Sequence, residues 1–173
     1  HKVDKENSML VLNVKQLQDY KEFPIYKLPV DVAIWDEAGK TTKRIVIDSV
    51  EQSFQFPIKG ALKNVLFDEQ QMLLGKVFED KSTDEFAHQF THANRWKARN
   101  TAFSRVANTP SDKADELIGS ALKDPFWNIR LSAINVVKEM PKEKALTHLT
   151  QLKDLALKIK LFLKRWKLVR FMR

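Results

Sequence analysis

The chain predicts an α+β protein in two segregated parts, an N-terminal antiparallel β-sandwich followed by an array of α-helices. Three observations lead there. Residues 8–75 hold short β-prone segments separated by turn residues, the spacing of a sandwich rather than of a helical bundle. From Thr83 the apolar residues change from a two-residue to a 3.6-residue period. Within the helical part, Ala98–Val106 matches Ile129–Val137 at a constant offset, with small or apolar residues answering each other and Arg99 answering Arg130.

Taken in order, Met9–Val14 is β-prone, and Pro24 and Pro29 punctuate the connection to Val30–Trp35. In that segment Val30, Val32 and Ile34 share a face, with Ala33 and Trp35 on the other. Asp36-Glu37-Ala38-Gly39-Lys40 has the composition of a hairpin turn, and Thr42–Asp48 returns with Ile45 and Ile47 on one side and Val46 on the other. Ser53–Pro57 alternates, aiming Phe54 and Phe56 the same way. Asn64–Asp68 is a further short strand and Met72–Leu74 a candidate one. The aromatic residues of this half are expected in the core.

Ser82-Thr83-Asp84-Glu85 is a capped helix start, followed by Phe86 and Phe90 one turn apart. Trp96, Arg99, Ala102, Phe103 and Val106 carry the period on to about Asn108. Thr109-Pro110-Ser111-Asp112 breaks it and caps the next helix, which is lined by Ala114, Leu117, Ile118, Ala121 and Leu122. Asp124 is expected to cap and Pro125 to open the following helix, whose apolar face is Phe126, Ile129, Ala133, Ile134 and Val137. A last helix begins at Pro141, with Ala145, Leu149, Leu152 and Leu155 apolar. Paired helices recurring at this offset are the pattern of a HEAT or armadillo-like solenoid, in which each unit buries its face only against its neighbours. The expected division is residues 1–77, an immunoglobulin-like sandwich, and residues 78–173, HEAT-like repeats with a basic C-terminal tail.

The net charge of +8 is unevenly placed. Residues 157–173 hold seven of the 30 basic residues and no acidic one, which leaves the rest of the chain close to neutral. A nucleic-acid binder needs a basic face across its fold, so no nucleic acid is expected as a partner. The tail interleaves Leu161, Phe162, Leu163, Trp166, Leu168, Val169 and Phe171 with its charges; membrane contact through it is a weaker expectation than an inward-packed helix. The repeat calls for a mixed-charge helix after Leu157, so a departure from the native reading frame after about Lys158 is a further expectation. The chain holds no cysteine, which excludes disulfides and thiolate zinc sites and suits a bacterial cytoplasm or periplasm equally. It begins at His1, not Met, as an excised or processed piece would.

The chemistry-bearing candidates are few. His88 and His92 stand four residues apart on a helix, the spacing with which H-E-x-x-H binds zinc. Here Gln89 takes the place of the glutamate that would activate a zinc-bound water, and Ser111 stands where a third, downstream glutamate ligand belongs. The pair is therefore rejected as a metal site, and no catalytic, cofactor-binding or metal-binding residue is assigned. Asp36/Glu37, Asp68/Glu69 and Asp84/Glu85 fall in turns or caps, where carboxylates cap or face solvent. There is no phosphate-binding glycine motif and no nucleophile elbow.

Three stretches carry a resemblance. Phe23–Asp36 (Phe-Pro-Ile-Tyr-Lys-Leu-Pro-Val-Asp-Val-Ala-Ile-Trp-Asp) and Val50–Phe56 resemble the β-sandwich that follows the catalytic domain in aminopeptidase N-type zinc metallopeptidases, peptidase family M-one. His92-Ala93-Asn94-Arg95-Trp96-Lys97-Ala98-Arg99 resembles the entry to that family's C-terminal HEAT-like helical domain. The resemblance covers most of residues 10–150 and rests on the order of the segments. It implies a non-catalytic C-terminal piece of an enzyme that removes N-terminal residues from peptides, with zinc held by its own upstream catalytic domain. The helical domain would help cover the substrate cleft, and peptides would be met only through the complete enzyme. The competing expectation is a non-enzymatic scaffold or protein-interaction module of the same architecture.

Overall fold

The structure is a computed structural model and describes residues 1–148, 150 and 153. Among the described residues six strands precede four helices: β1 (Lys2–Asp4), β2 (Met9–Lys15), β3 (Leu28–Asp36), β4 (Gly39–Ile47), β5 (Glu51–Pro57), β6 (Asn64–Leu66), α1 (Thr83–His92), α2 (Trp96–Ala107), α3 (Asp112–Ala121) and α4 (Trp127–Glu139). Residues 142–148 are also helical. The class is mixed α+β. The chain divides into two compact units, His1–Ala102 and Phe103–Arg173.

The strands make two three-stranded antiparallel sheets, ordered β1-β2-β5 and β4-β3-β6. Alternation does the sorting. Leu10 and Leu12 of the first sheet and Val30, Val32, Ile34, Ile45, Ile47 and Val65 of the second share one buried cluster with Phe56 and Ile58. Phe54 packs against it, two residues from Phe56, while Val46 faces outward. Ala33, Trp35 and Leu66 lie on the opposite face and form a second cluster with Ala93 and Ala98.

The β3–β4 hairpin closes with Asp36 opposite Gly39, so Glu37 and Ala38 are its two turn residues. Gly39 takes a φ of +118°, open to glycine, and Asp36 Oδ1 accepts the Ala38 N–H at 2.8 Å. On the outer face Arg44 Nε and Nη2 reach Asp31 Oδ1 and Oδ2 at 2.7 and 2.8 Å, a two-point contact that holds the Asp31 carboxyl below the usual carboxylate range. Lys43 lies on the inner-facing side of β4, an edge strand, where a charge deters pairing with another sheet.

Met72–Leu74 is not a strand. Asp68, with a φ of +51°, accepts the N–H groups of Met72 and Leu73 on its two carboxylate oxygens at 2.9 Å each, and Gln71 also turns left-handed. Those donors cannot then join a ladder.

α1 opens on a capping box. Ser82 Oγ accepts from the Glu85 N–H, and the Glu85 carboxylate accepts from the Ser82 N–H at 2.9 Å. The helix buries Phe86, Gln89 and Phe90 and stops at His92, because Ala93 is extended; α2 restarts at Trp96. Ser111 caps α3 through the Ala114 N–H at 3.1 Å. Asp124 does not cap α4. Its Oδ1 accepts the Phe126 N–H at 2.8 Å, which makes a turn ahead of the helix; Phe126 occupies the N-cap position and Pro125 lies outside.

The two matched segments share one contact. Arg99 Nη1 donates to the carbonyls of Ala93 and Asn94 at 3.3 and 2.8 Å. Arg130 Nη1 donates to the carbonyls of Asp124 and Pro125 at 2.8 and 2.9 Å. In each case the guanidinium reaches back to the turn that delivers its own helix. The residues expected to line a last helix, Leu149, Leu152 and Leu155, lie outside the described residues, as do the basic tail and the expectation about its reading frame.

Candidate functional site

Three places could hold chemistry. The first is the histidine pair on α1. The His88 and His92 rings stack with centroids 3.9 Å apart and planes 8° from parallel. His92 Nδ1 lies 2.9 Å from the His88 carbonyl and 2.7 Å from Thr91 Oγ1, so that nitrogen is engaged locally. The His88 ring meets Trp35 edgewise, with centroids 5.8 Å apart. Parallel stacked imidazoles direct their ring nitrogens along parallel planes, whereas a chelated ion needs them to converge. Gln89 is buried, donates through Nε2 to the Ala98 carbonyl at 2.9 Å and accepts from Lys81 Nζ at 2.6 Å. It is a strut between α1 and its surroundings. Ser111 is committed to capping α3. Among the described residues no group of three or more histidine, aspartate and glutamate side chains is placed to hold a metal ion.

The carboxylate pairs are dispersed. Asp36 closes the hairpin and also accepts the Lys59 N–H at 2.8 Å. Asp68 shapes its turn, Glu69 is held by Lys40 and by Thr42 Oγ1, and Asp84 and Glu85 occupy the first turn of α1. They do not converge on one another.

The second place is a cleft of about 710 Å³ in the first unit. Its floor is apolar, made by Leu12, Val14, Ile47 and Phe67, and the irregular segment containing Leu74 and Phe78 forms another wall. Leu74 and Phe78 are themselves exposed. Nothing in a linear pattern announces this cleft, because its walls come from strands and a connection far apart in sequence.

The third is the charged cluster around Lys81, which with Glu79 also lines the cleft. The Lys81 side chain is buried, with Nζ 2.8 Å from Glu79 Oε1, 2.6 Å from Gln89 Oε1 and 5.6 Å from the Phe86 ring centroid. Burial pulls the Lys81 pKa below its ordinary value, and the Glu79 and Glu85 carboxylates resist that pull. Glu85 Oε1 lies 2.7 Å from His1 Nε2. The lysine is spent on its own neighbours and pins the connecting segment to α1. Among the described residues no helix is long and apolar enough to cross a membrane.

Comparison with known proteins adds one finding of fold. No family model matches the chain, and no curated protein sequence matches it. A crystal structure of Legionella pneumophila aminopeptidase A in complex with aspartic acid is similar over 92% of this chain, with a TM-score of 0.60 and 13% sequence identity. The matched region is 22% of that chain, so the present chain spans about a fifth of the length of the structure it resembles. The likeness is one of fold.

Proposed function

We propose that this chain is a non-catalytic, C-terminal portion of a zinc aminopeptidase and helps shape and cover the substrate cleft of the complete enzyme. The observation that carries the reading is the aminopeptidase-like fold running through nearly the whole chain, 92% of it, while matching only 22% of the similar structure. The order of the three sequence stretches supports it independently. On this reading the two sheets are the enzyme's β-sandwich, and α1–α4 begin its HEAT-like array. The repeated arginine-to-turn contact is what such an array would reuse from unit to unit.

Zinc, its ligands and the general base then belong to an upstream catalytic domain, and this chain supplies none of them. Added zinc should produce no peptide hydrolysis by this chain alone, and measurable zinc-dependent turnover would overturn the assignment. The encoding gene offers the complementary test: an H-E-x-x-H segment with a downstream glutamate at zinc-ligand spacing is expected upstream. A reading frame without that motif would favour the second reading, a non-enzymatic interaction module. The exposed Leu74 and Phe78 at the cleft wall are the observation in favour of that alternative.

A further inference from the structure

The face of the β4-β3-β6 sheet turned away from the main core carries Trp35, and α1 sets His88 against that ring's surroundings. We propose that His88, stacked on His92, is an acid-sensitive latch, holding the last turn of α1 on this sheet while the His88 ring is neutral and releasing it when that ring takes up a proton.

The geometry favours the neutral form in three ways. Rings stacked at 3.9 Å suit two neutral imidazoles, whereas two imidazolium ions face to face repel each other. The second reason is His88 Nδ1, which is buried and has no hydrogen-bond partner. As the bare nitrogen of a neutral ring it forgoes one acceptor bond; protonated, it becomes a buried N–H with nothing to donate to. The third is the company it keeps. Lys63, ahead of β6, and His92 both act on His88 as positive or potentially positive groups. Lys40 of β4 already lies over the Trp35 ring, 5.3 Å from its centroid, so the indole's attraction for a cation is in use. Glu69 is held by Lys40 and Thr42. Asn64, opposite Trp35 in the β3–β6 register, is neutral and fully buried.

Burial first, then His92 and Lys63, hold the His88 pKa below 6.5. The unfolded chain therefore takes up this proton at a higher pH than the folded one. The latch contributes fully above pH 6.5 and is lost as pH falls through the lowered folded value.

The test reads the rings and the helix turn separately. In the unaltered chain, the His88 ring followed by NMR should titrate with a midpoint below 6.5. Amide exchange over residues 89–93, corrected for the intrinsic pH dependence, should speed up across the same transition. In a W96F/W127F/W166F variant, Trp35 emission should change with that midpoint, because release of the turn takes the His88 ring away from the indole. H88Q should remove the emission change while leaving the circular dichroism spectrum intact. If H88Q does not fold, ring NMR and exchange of the unaltered chain decide. A His88 midpoint at or above 6.5, or corrected exchange rates unchanged through the transition, would overturn the latch.

Discussion

The turn before α2 and the turn before α4 are tied in the same way, but the helices they deliver are buried to different depths. Arg99 and Arg130 each reach back to two carbonyls of the preceding turn. Trp96 and Trp127, the first residues of the two helices, are both exposed. The inward faces then diverge. Ala98, Ala102, Phe103 and Val106 are all buried, whereas of the matching Ile129, Ala133, Ile134 and Val137, Ile134 is only partly so. The turn is settled by its own short segment, since the arginine and its acceptors are five and six residues apart. Depth of burial is settled by what lies alongside, which the matched segments cannot carry in their own residues.

Substitutions at the diverging position should separate the copies most. Phe103→Ala should cost about 3–5 kcal/mol, because the ring is fully buried and leaves a cavity. Ile134→Ala should cost about 2 kcal/mol or less, its partly exposed side chain leaving a smaller void. Urea unfolding midpoints compare the two directly, and equal losses would erase the difference in packing. Arg99→Met and Arg130→Met should each cost roughly 1–3 kcal/mol, with similar losses in the two copies, since each strips a charged donor from two carbonyls. A loss confined to one of them would mean the shared contact is coincidental. The caps give the smallest separation. Ser82→Ala removes the side-chain half of a reciprocal box and Ser111→Ala a single bond, so both should cost about 1 kcal/mol with Ser82 the larger. Helicity and thermal midpoint of the two variants check the order.

What could be read in the linear chain follows the same division between local and distant causes. The Asp36–Gly39 hairpin, the pairing of Phe54 with Phe56 on one face, the Ser82 and Ser111 caps and the matched arginines all arise within a few residues, and all were legible. β1 carries no signal of its own, because Lys2-Val3-Asp4 is short and charged and becomes a strand only through pairing with Met9–Val11. Met72–Leu74 has strand composition, but the Asp68 carboxylate holds its donors. Asp124 has the composition of a cap but lies two positions ahead of the N-cap, Phe126. The stacking of His88 on His92 follows from their spacing. Its proximity to Trp35, a residue of β3, does not, nor do the cleft and the His1–Glu85 contact, which join segments remote from one another.

The proposed place in an aminopeptidase rests on fold and segment order, so activity is to be sought in the product of the complete reading frame. Hydrolysis of an N-terminal residue from a short peptide should be measured for that product and for residues 1–173 alone, each with zinc and after chelation. The account predicts turnover by the complete product that chelation abolishes and zinc restores, and none by residues 1–173. No zinc-dependent turnover by the complete product, or turnover by residues 1–173 alone, would contradict it.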